Sequence, residues 1–116
     1  MGIAGAHGAA GEALAAAYFE LIGCRIVARN TRLGGVEVDL VVEEGRTTVL
    51  VEVKTRARSD FGGAAAAVDE TKRERLKRAA RAVLAAGRSR VRIDVATVEP
   101  NRDGVALRHY RDAVGD

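Results

Sequence analysis

A chain of 116 residues is long enough for one hydrophobic core and too short for two, and its 47% hydrophobic content fits a single globular domain spanning residues 1–116. Aromatic residues make up 3% and tryptophan is absent, which argues against reading single-stranded bases on aromatic platforms and leaves the core to Ala, Val, Leu and Ile. The net charge of +3 is uneven, because residues 54–92 carry twelve basic and four acidic side chains. Phosphate backbones attract such a patch by counterion release, although a bare charge run is as often a solvated helix face.

The lone cysteine, Cys24, excludes an internal disulfide and a zinc site of the Cys-x-x-Cys kind, so a reducing cytoplasm is the simplest setting. The N-terminus has no basic segment before Arg25, and Glu12 interrupts any apolar run. It reads as neither a secretion signal nor an anchor, no run approaches transmembrane length, and no membrane partner is expected. Residues from about Gly8 to Ile22 read as a first helix, with Leu14, Ala17, Tyr18, Leu21 and Ile22 at helical spacing and Gly23 as its stop. On that wheel Glu12 is a surface residue near the helix N-terminus, where the dipole favours a carboxylate. Ala16 and Phe19 share its side. Cys24–Ala28 reads as a short edge strand, and Arg29–Arg32 leads to Leu33-Gly34-Gly35, where the glycines permit a tight turn.

The most informative stretch is Val36–Arg56, two apolar β-branched runs hinged at Glu44-Gly45-Arg46, which reads as a β-hairpin. Residues two apart share a face of a strand, so Glu37 and Asp39 project together from the first run, and Glu52 and Lys54 from the second. Val36, Val38, Leu40, Val49, Val51 and Val53 take the other face, expected to be the core side. A two-residue turn at Gly45-Arg46, or a four-residue one at Glu44–Thr47, sets Asp39 opposite Glu52 and Glu37 opposite Lys54. A turn at Glu44-Gly45 pairs Glu37 with Glu52 and keeps the four on one face, whereas an even register scatters them. Carboxylates facing each other across a sheet repel and need a compensating partner. A hard divalent cation is the natural one, since Mg²⁺ takes one or two carboxylates, keeps several waters and accepts phosphate oxygens.

Beyond the hairpin, Ala57–Gly63 reads as a loop, with Arg56 and Arg58 in reach of phosphates. A second helix should begin near Asp69, a good N-cap, and end at Gly87, with Leu76, Ala79, Ala80, Val83 and Leu84 as its buried stripe and Arg73, Lys77 and Arg81 as a basic ridge. Lys72 lies one turn before Leu76, on the buried side, where it either snorkels at the sheet edge or points into the carboxylates. Arg90–Val98 alternates as a strand, with Val91, Ile93 and Val95 on one face and Arg92, Asp94 and Ala96 on the other. Asp94 reads as structural. Asn101–Gly104 follows the only proline as a turn, Val105–Tyr110 reads as a further strand, and the tail beyond it is expected to fray. His7 and His109 have no ligand-spaced companions.

Asp39 followed, in a hairpin, by Glu52-Val53-Lys54 resembles the PD-(D/E)xK motif of restriction-endonuclease-like nucleases. Together with Gly11-Glu12-Ala13, Arg29-Asn30, Glu37–Leu40, Val51–Arg56, Phe61-Gly62, Lys72 and Arg92–Val95, the chain resembles the small bacterial YraN-type family, itself similar to archaeal Holliday-junction resolvases. The resemblance covers about Gly8–Val98 and departs from the family's usual pattern where Val36 intervenes between Gly35 and Glu37. It implies a restriction-endonuclease-like α/β fold, a central mixed β-sheet flanked by helices in the order α-β-β-β-α-β with one more strand. It also implies a Mg²⁺-dependent endonuclease, with Mn²⁺ as a substitute, acting on branched DNA as a homodimer. Asp39, Glu52 and the Val53 carbonyl would hold the metal, Lys54 would position the attacking water, and Glu12 would add a further carboxylate. Arg56, Arg58, Lys72, Arg73 and Lys77 would hold the nucleic acid. The alternatives are a catalytically silent nucleic-acid-binding module on the same fold and a structural protein whose basic helix meets an acidic partner.

Overall fold

A computed structural model of the protein describes residues 3–56, 68–88 and 90–115. Helix α1 (Ile3–Leu21) is followed by strands β1 (Arg25–Leu33), β2 (Val36–Glu44) and β3 (Thr47–Thr55). Helix α2 (Glu70–Ala85) then leads to β4 (Val91–Asn101) and β5 (Gly104–Tyr110). The strands lie side by side in chain order, antiparallel except for the parallel pair β3–β4. Parallel neighbours need a crossover connection, and α2 lies in it. This is the mixed α/β sheet flanked by helices expected from the pattern, with the further strand present. Among the described residues no helix is long and apolar enough to cross a membrane.

Both faces of the sheet are cores. Leu50, Ile93 and Val95 pack with Leu76, Ala79 and Val83 of α2, while Val49, Val51 and Ala96 pack with Ala15, Ala16 and Phe19 of α1. The hairpin residues assigned above to one core face therefore divide. Val36 and Val38 join the α2 cluster, whereas Leu40, Val42, Val49 and Val51 join the α1 cluster. Alternation breaks between Val38 and Leu40. Across from the break, between the pairs Arg29↔Leu40 and Thr31↔Val38, Asn30 of β1 takes φ 47°, a conformation that Asn tolerates better than most residues.

The first helix buries a different face from the one its large residues suggest. Ala15, Ala16 and Phe19 are fully buried, while Leu14 is half-exposed and Leu21 is 86% exposed. Small side chains let α1 lie close to the sheet, and a Cβ at Gly11 would overlap the Thr55 hydroxyl. Glu12 shares that inward face at helical spacing and is half-buried. Strand β1 is also longer than the expected Cys24–Ala28, running through the arginines to Leu33. The second helix has the expected cap, with Asp69 Oδ1 accepting from the Lys72 N–H at 2.8 Å. Leu84, expected in its buried stripe, is instead 46% exposed.

The tail does not fray. Arg111 forms two hydrogen bonds to Glu44, the Asp112 N–H donates to Asp94 Oδ1, the Ala113 N–H donates to the Ile93 carbonyl, and Val114 is buried in the α2 cluster. Asp94, fully buried on β4, is the hub of this corner. It accepts from Arg92 Nε at 2.8 Å and lies 2.7 Å from His109 Nε2, whose Nδ1 is 2.9 Å from the Tyr18 hydroxyl. The chain thus ties α1, β4, β5 and the tail together with one buried polar network.

Candidate functional site

The hairpin turn is Gly45-Arg46, with Gly45 at φ 61°, and the ladder runs from Glu44↔Thr47 to Leu40↔Val51. Carried one residue further, this register sets Asp39 beside Glu52. There the Val53 N–H donates to Asp39 Oδ2 at 2.9 Å, and the two carboxyls are near enough for each to perturb the other. Glu52 is buried and Asp39 half-buried. From α2, Lys72 Nζ reaches Glu52 Oε2 at 2.6 Å. The Asp69 cap that starts this helix sets Lys72 three residues on, in its first turn, facing the sheet.

The electrostatics follow from this packing. Burial pushes the Asp39 carboxyl above its ordinary range, and the Val53 N–H and the Lys72 charge offset only part of that. Burial also raises the Glu52 carboxyl, and the neighbouring Asp39 charge raises it further. Burial works against the Lys72 ammonium, but its bond to Glu52 and the two negative charges outweigh this and raise its pKa. The pair therefore holds its protons more tightly than isolated carboxyls do, and a cation placed between the two would relieve both. Among the described residues no three His, Cys, Asp or Glu side chains converge as a metal cage. Two carboxylates are nonetheless a sufficient donor set for Mg²⁺, which fills its remaining positions with water and phosphate oxygens.

The carboxylates open into a cleft of about 480 Å³ between β1, β2 and α2, whose basic lining consists of Arg32, Lys72, Arg75 and Arg78. Of the expected site residues, the structure brings together Asp39, Glu52 and Lys72, with the Val53 backbone against them. Lys54 lies two residues beyond Glu52 on β3, exposed, and makes no ion pair among the described residues. Glu12 likewise forms no hydrogen bond or ion pair among the described residues. Arg56 follows the last residue of β3, its N–H donating to the Val98 carbonyl at 2.9 Å. Arg58 and the expected loop Ala57–Gly63 lie outside the described residues. Arg73 is half-buried on α2. Lys77 pairs with Glu74 at 3.8 Å and, with Arg81, lines a separate cleft on the flank of the helix.

Arg32, Arg75 and Arg78 were not among the expected site residues. The signal for two of them was present, since Arg75 and Arg78 follow Lys72 at three-residue steps, but the four-residue ridge of Arg73, Lys77 and Arg81 is the more conspicuous pattern. Arg32 had no such signal, because its place depends on the turn at Gly34-Gly35, where φ is 60° and 78°. That turn folds β1 back along β2, and Arg32 Nη1 donates to the Gly35 carbonyl at 2.9 Å.

With the geometry in place, similarity to known proteins is informative. The chain is 46% identical over 98 residues to a UPF0102 protein of Mycolicibacterium vanbaalenii, covering 82% of this chain and 81% of that one. It is 44% identical over 111 residues to a UPF0102 protein of Nitratidesulfovibrio vulgaris, covering 93% and 83% of the two chains. With a UPF0102 protein of Beutenbergia cavernae it shares 42% over 113 residues, covering 95% and 96%. Residues 11–98, which take in the second half of α1, the hairpin with both carboxylates and all of α2, match the family model described as uncharacterised protein family UPF0102, and the chain belongs to that family.

Proposed function

We propose that the protein is a metal-dependent endonuclease of the restriction-endonuclease-like type, hydrolysing phosphodiester bonds in DNA and selective for branched DNA. The observation that carries this reading is the meeting of Asp39 and Glu52, both pushed toward protonation, in a cleft lined by Arg32, Lys72, Arg75 and Arg78. A protein gains nothing in stability from a half-buried and a buried carboxyl that repel, so the arrangement makes sense as a cation site. In this reading Asp39, Glu52 and the Val53 carbonyl hold Mg²⁺ or Mn²⁺. The bound ion would polarise the phosphoryl oxygens and lower the pKa of the attacking water.

The chain's own residues do the rest. The Val53 N–H fixes the Asp39 carboxylate in place. Lys72, which the structure places on Glu52, would hold a phosphate oxygen. Lys54, on the same side of β3 as Glu52, orients the water. Branched DNA has approximate twofold symmetry, and the reading includes a homodimer on that ground. One observation favours a second reading: the Lys72 ammonium already neutralises Glu52, as it would in a nucleic-acid-binding module without turnover.

Calorimetric titration of Mg²⁺ and Mn²⁺ into the wild type, Asp39→Ala and Glu52→Ala, with melts to verify folding, separates the two. The nuclease reading expects wild-type binding that both variants abolish, and cleavage of branched, flapped or nicked DNA that each variant lowers by orders of magnitude. Failure of the wild type to bind a divalent ion, even beside non-cleavable DNA, overturns it in favour of the binding module.

A further inference from the structure

The basic residues of the cleft are unevenly engaged. Elsewhere Arg25, Arg88, Arg92, Arg108 and Arg111 each pair with a carboxylate. In the cleft Lys72 alone does so. Arg75 and Arg78 form no ion pair among the described residues, although Glu37, Asp39 and Glu52 line the same cleft. The described hydrogen bond of Arg32 goes to a backbone carbonyl, which steadies the guanidinium without neutralising it and leaves most of its five donors for another partner. From Lys72 to Arg78 the helix rises about 9 Å, so the positive charge extends well beyond what the carboxylate pair itself needs. Among the described residues no aromatic side chain lines the cleft.

We propose that Arg32, Arg75 and Arg78 form a second phosphate-binding subsite beside the carboxylate pair, which takes the backbone flanking the phosphate at Asp39 and Glu52. The preferred substrate is then a polynucleotide strand held by several phosphates, not a nucleotide or other small phosphoester. Planar guanidinium forks suit this task, because each matches a phosphate with two parallel hydrogen bonds. Recognition here is of the backbone and is independent of sequence. The inference rests on the nuclease reading only for the identity of the neighbouring phosphate, since the subsite binds with or without turnover.

The test is fluorescence anisotropy of a labelled DNA oligonucleotide, titrated at several salt concentrations in chelator. It compares the wild type, the pair Arg75→Gln with Arg78→Gln, Arg32→Gln, and the control Arg102→Gln on the exposed β4–β5 turn. Losing two phosphate contacts should lower the slope of log K against log salt by about 2, and losing one by about 1, while the control leaves it unchanged. The oligonucleotide KM should rise tenfold or more in the paired variant and stay unchanged in the control. Equal slopes in all four folded proteins overturn the subsite even if divalent ions bind at Asp39 and Glu52. A lowered slope upholds it even if those ions do not bind and the nuclease reading falls.

Discussion

At the scale of single residues, Asp39 and Glu52 determine how the site responds to pH. Both carboxyls are raised in the folded state, chiefly by burial and, for Glu52, then by its neighbour's charge. A folded pKa above the unfolded one means that the folded chain binds the extra proton, so stability from this pair is full below about pH 4 and is lost as pH rises through the folded values. Asp39→Asn keeps an acceptor for the Val53 N–H and removes the repulsion. In chelator its melting temperature should therefore gain on the wild type as pH goes from 4 to 7; a difference that stays flat with pH would contradict the assignment. Lys72→Met acts in the opposite direction by stripping Glu52 of its cation. Because the Lys72 side chain is 42% exposed, solvent screening limits the loss to about 1–2 kcal/mol in a denaturant titration at pH 7. Added Mg²⁺ should recover part of it.

At the scale of elements, the site depends on where α2 begins and what its middle rests on. The Asp69 cap fixes the first turn that carries Lys72, and Asp69→Ala should cost about 1 kcal/mol in equilibrium unfolding. The β1–β2 turn touches the same helix further along. A Cβ on Gly34 would lie 3.0 Å from Ala82 Cβ and 3.4 Å from the Arg78 carbonyl, whereas one on Gly35 would meet nothing within 4 Å. Both glycines have positive φ, so either alanine variant loses about 1 kcal/mol to backbone strain. Gly34→Ala should lose about 1 kcal/mol more, because α2 must also move, and it should weaken the proposed DNA binding by displacing Arg78 and Arg32. Equal destabilisation by the two substitutions would show that the turn and the helix are not coupled.

At the scale of the whole molecule, stability and site chemistry lie in different parts of the sheet. Burial disfavours the Asp94 carboxylate, but Arg92, His109 and the Asp112 N–H more than compensate and hold its pKa below the ordinary value. Its contribution to stability is therefore full above about pH 4 and is lost as pH falls through the folded value, the reverse of the Asp39–Glu52 pair. Asp94→Ala removes the buried acceptor shared by Arg92, His109 and the Asp112 N–H, and should cost about 3–5 kcal/mol in urea unfolding. The metal binding proposed at Asp39 and Glu52 should survive under conditions where the variant is folded. Loss of metal binding in a folded Asp94→Ala would mean that the two clusters are linked through the sheet.

What the sequence determined by itself was local. Alternation marked the hairpin and β4, the Asp-capped 3.6-residue pattern marked α2, and glycines marked the turns, because each signal is an interaction between residues a few positions apart. The choice among hairpin registers, and with it the meeting of Asp39 and Glu52, is decided by the turn at Gly45-Arg46. Long-range packing decided the rest. The inward face of α1 depends on how closely Gly11, Ala15 and Ala16 let it approach a sheet formed later in the chain. The one-sided hairpin became two-sided because helices before and after it cover both faces. Arg32 entered the cleft, and the tail anchored on Asp94, through partners that no local pattern encodes. A helix or strand period states which residues share a face, but only the complete fold states what that face meets.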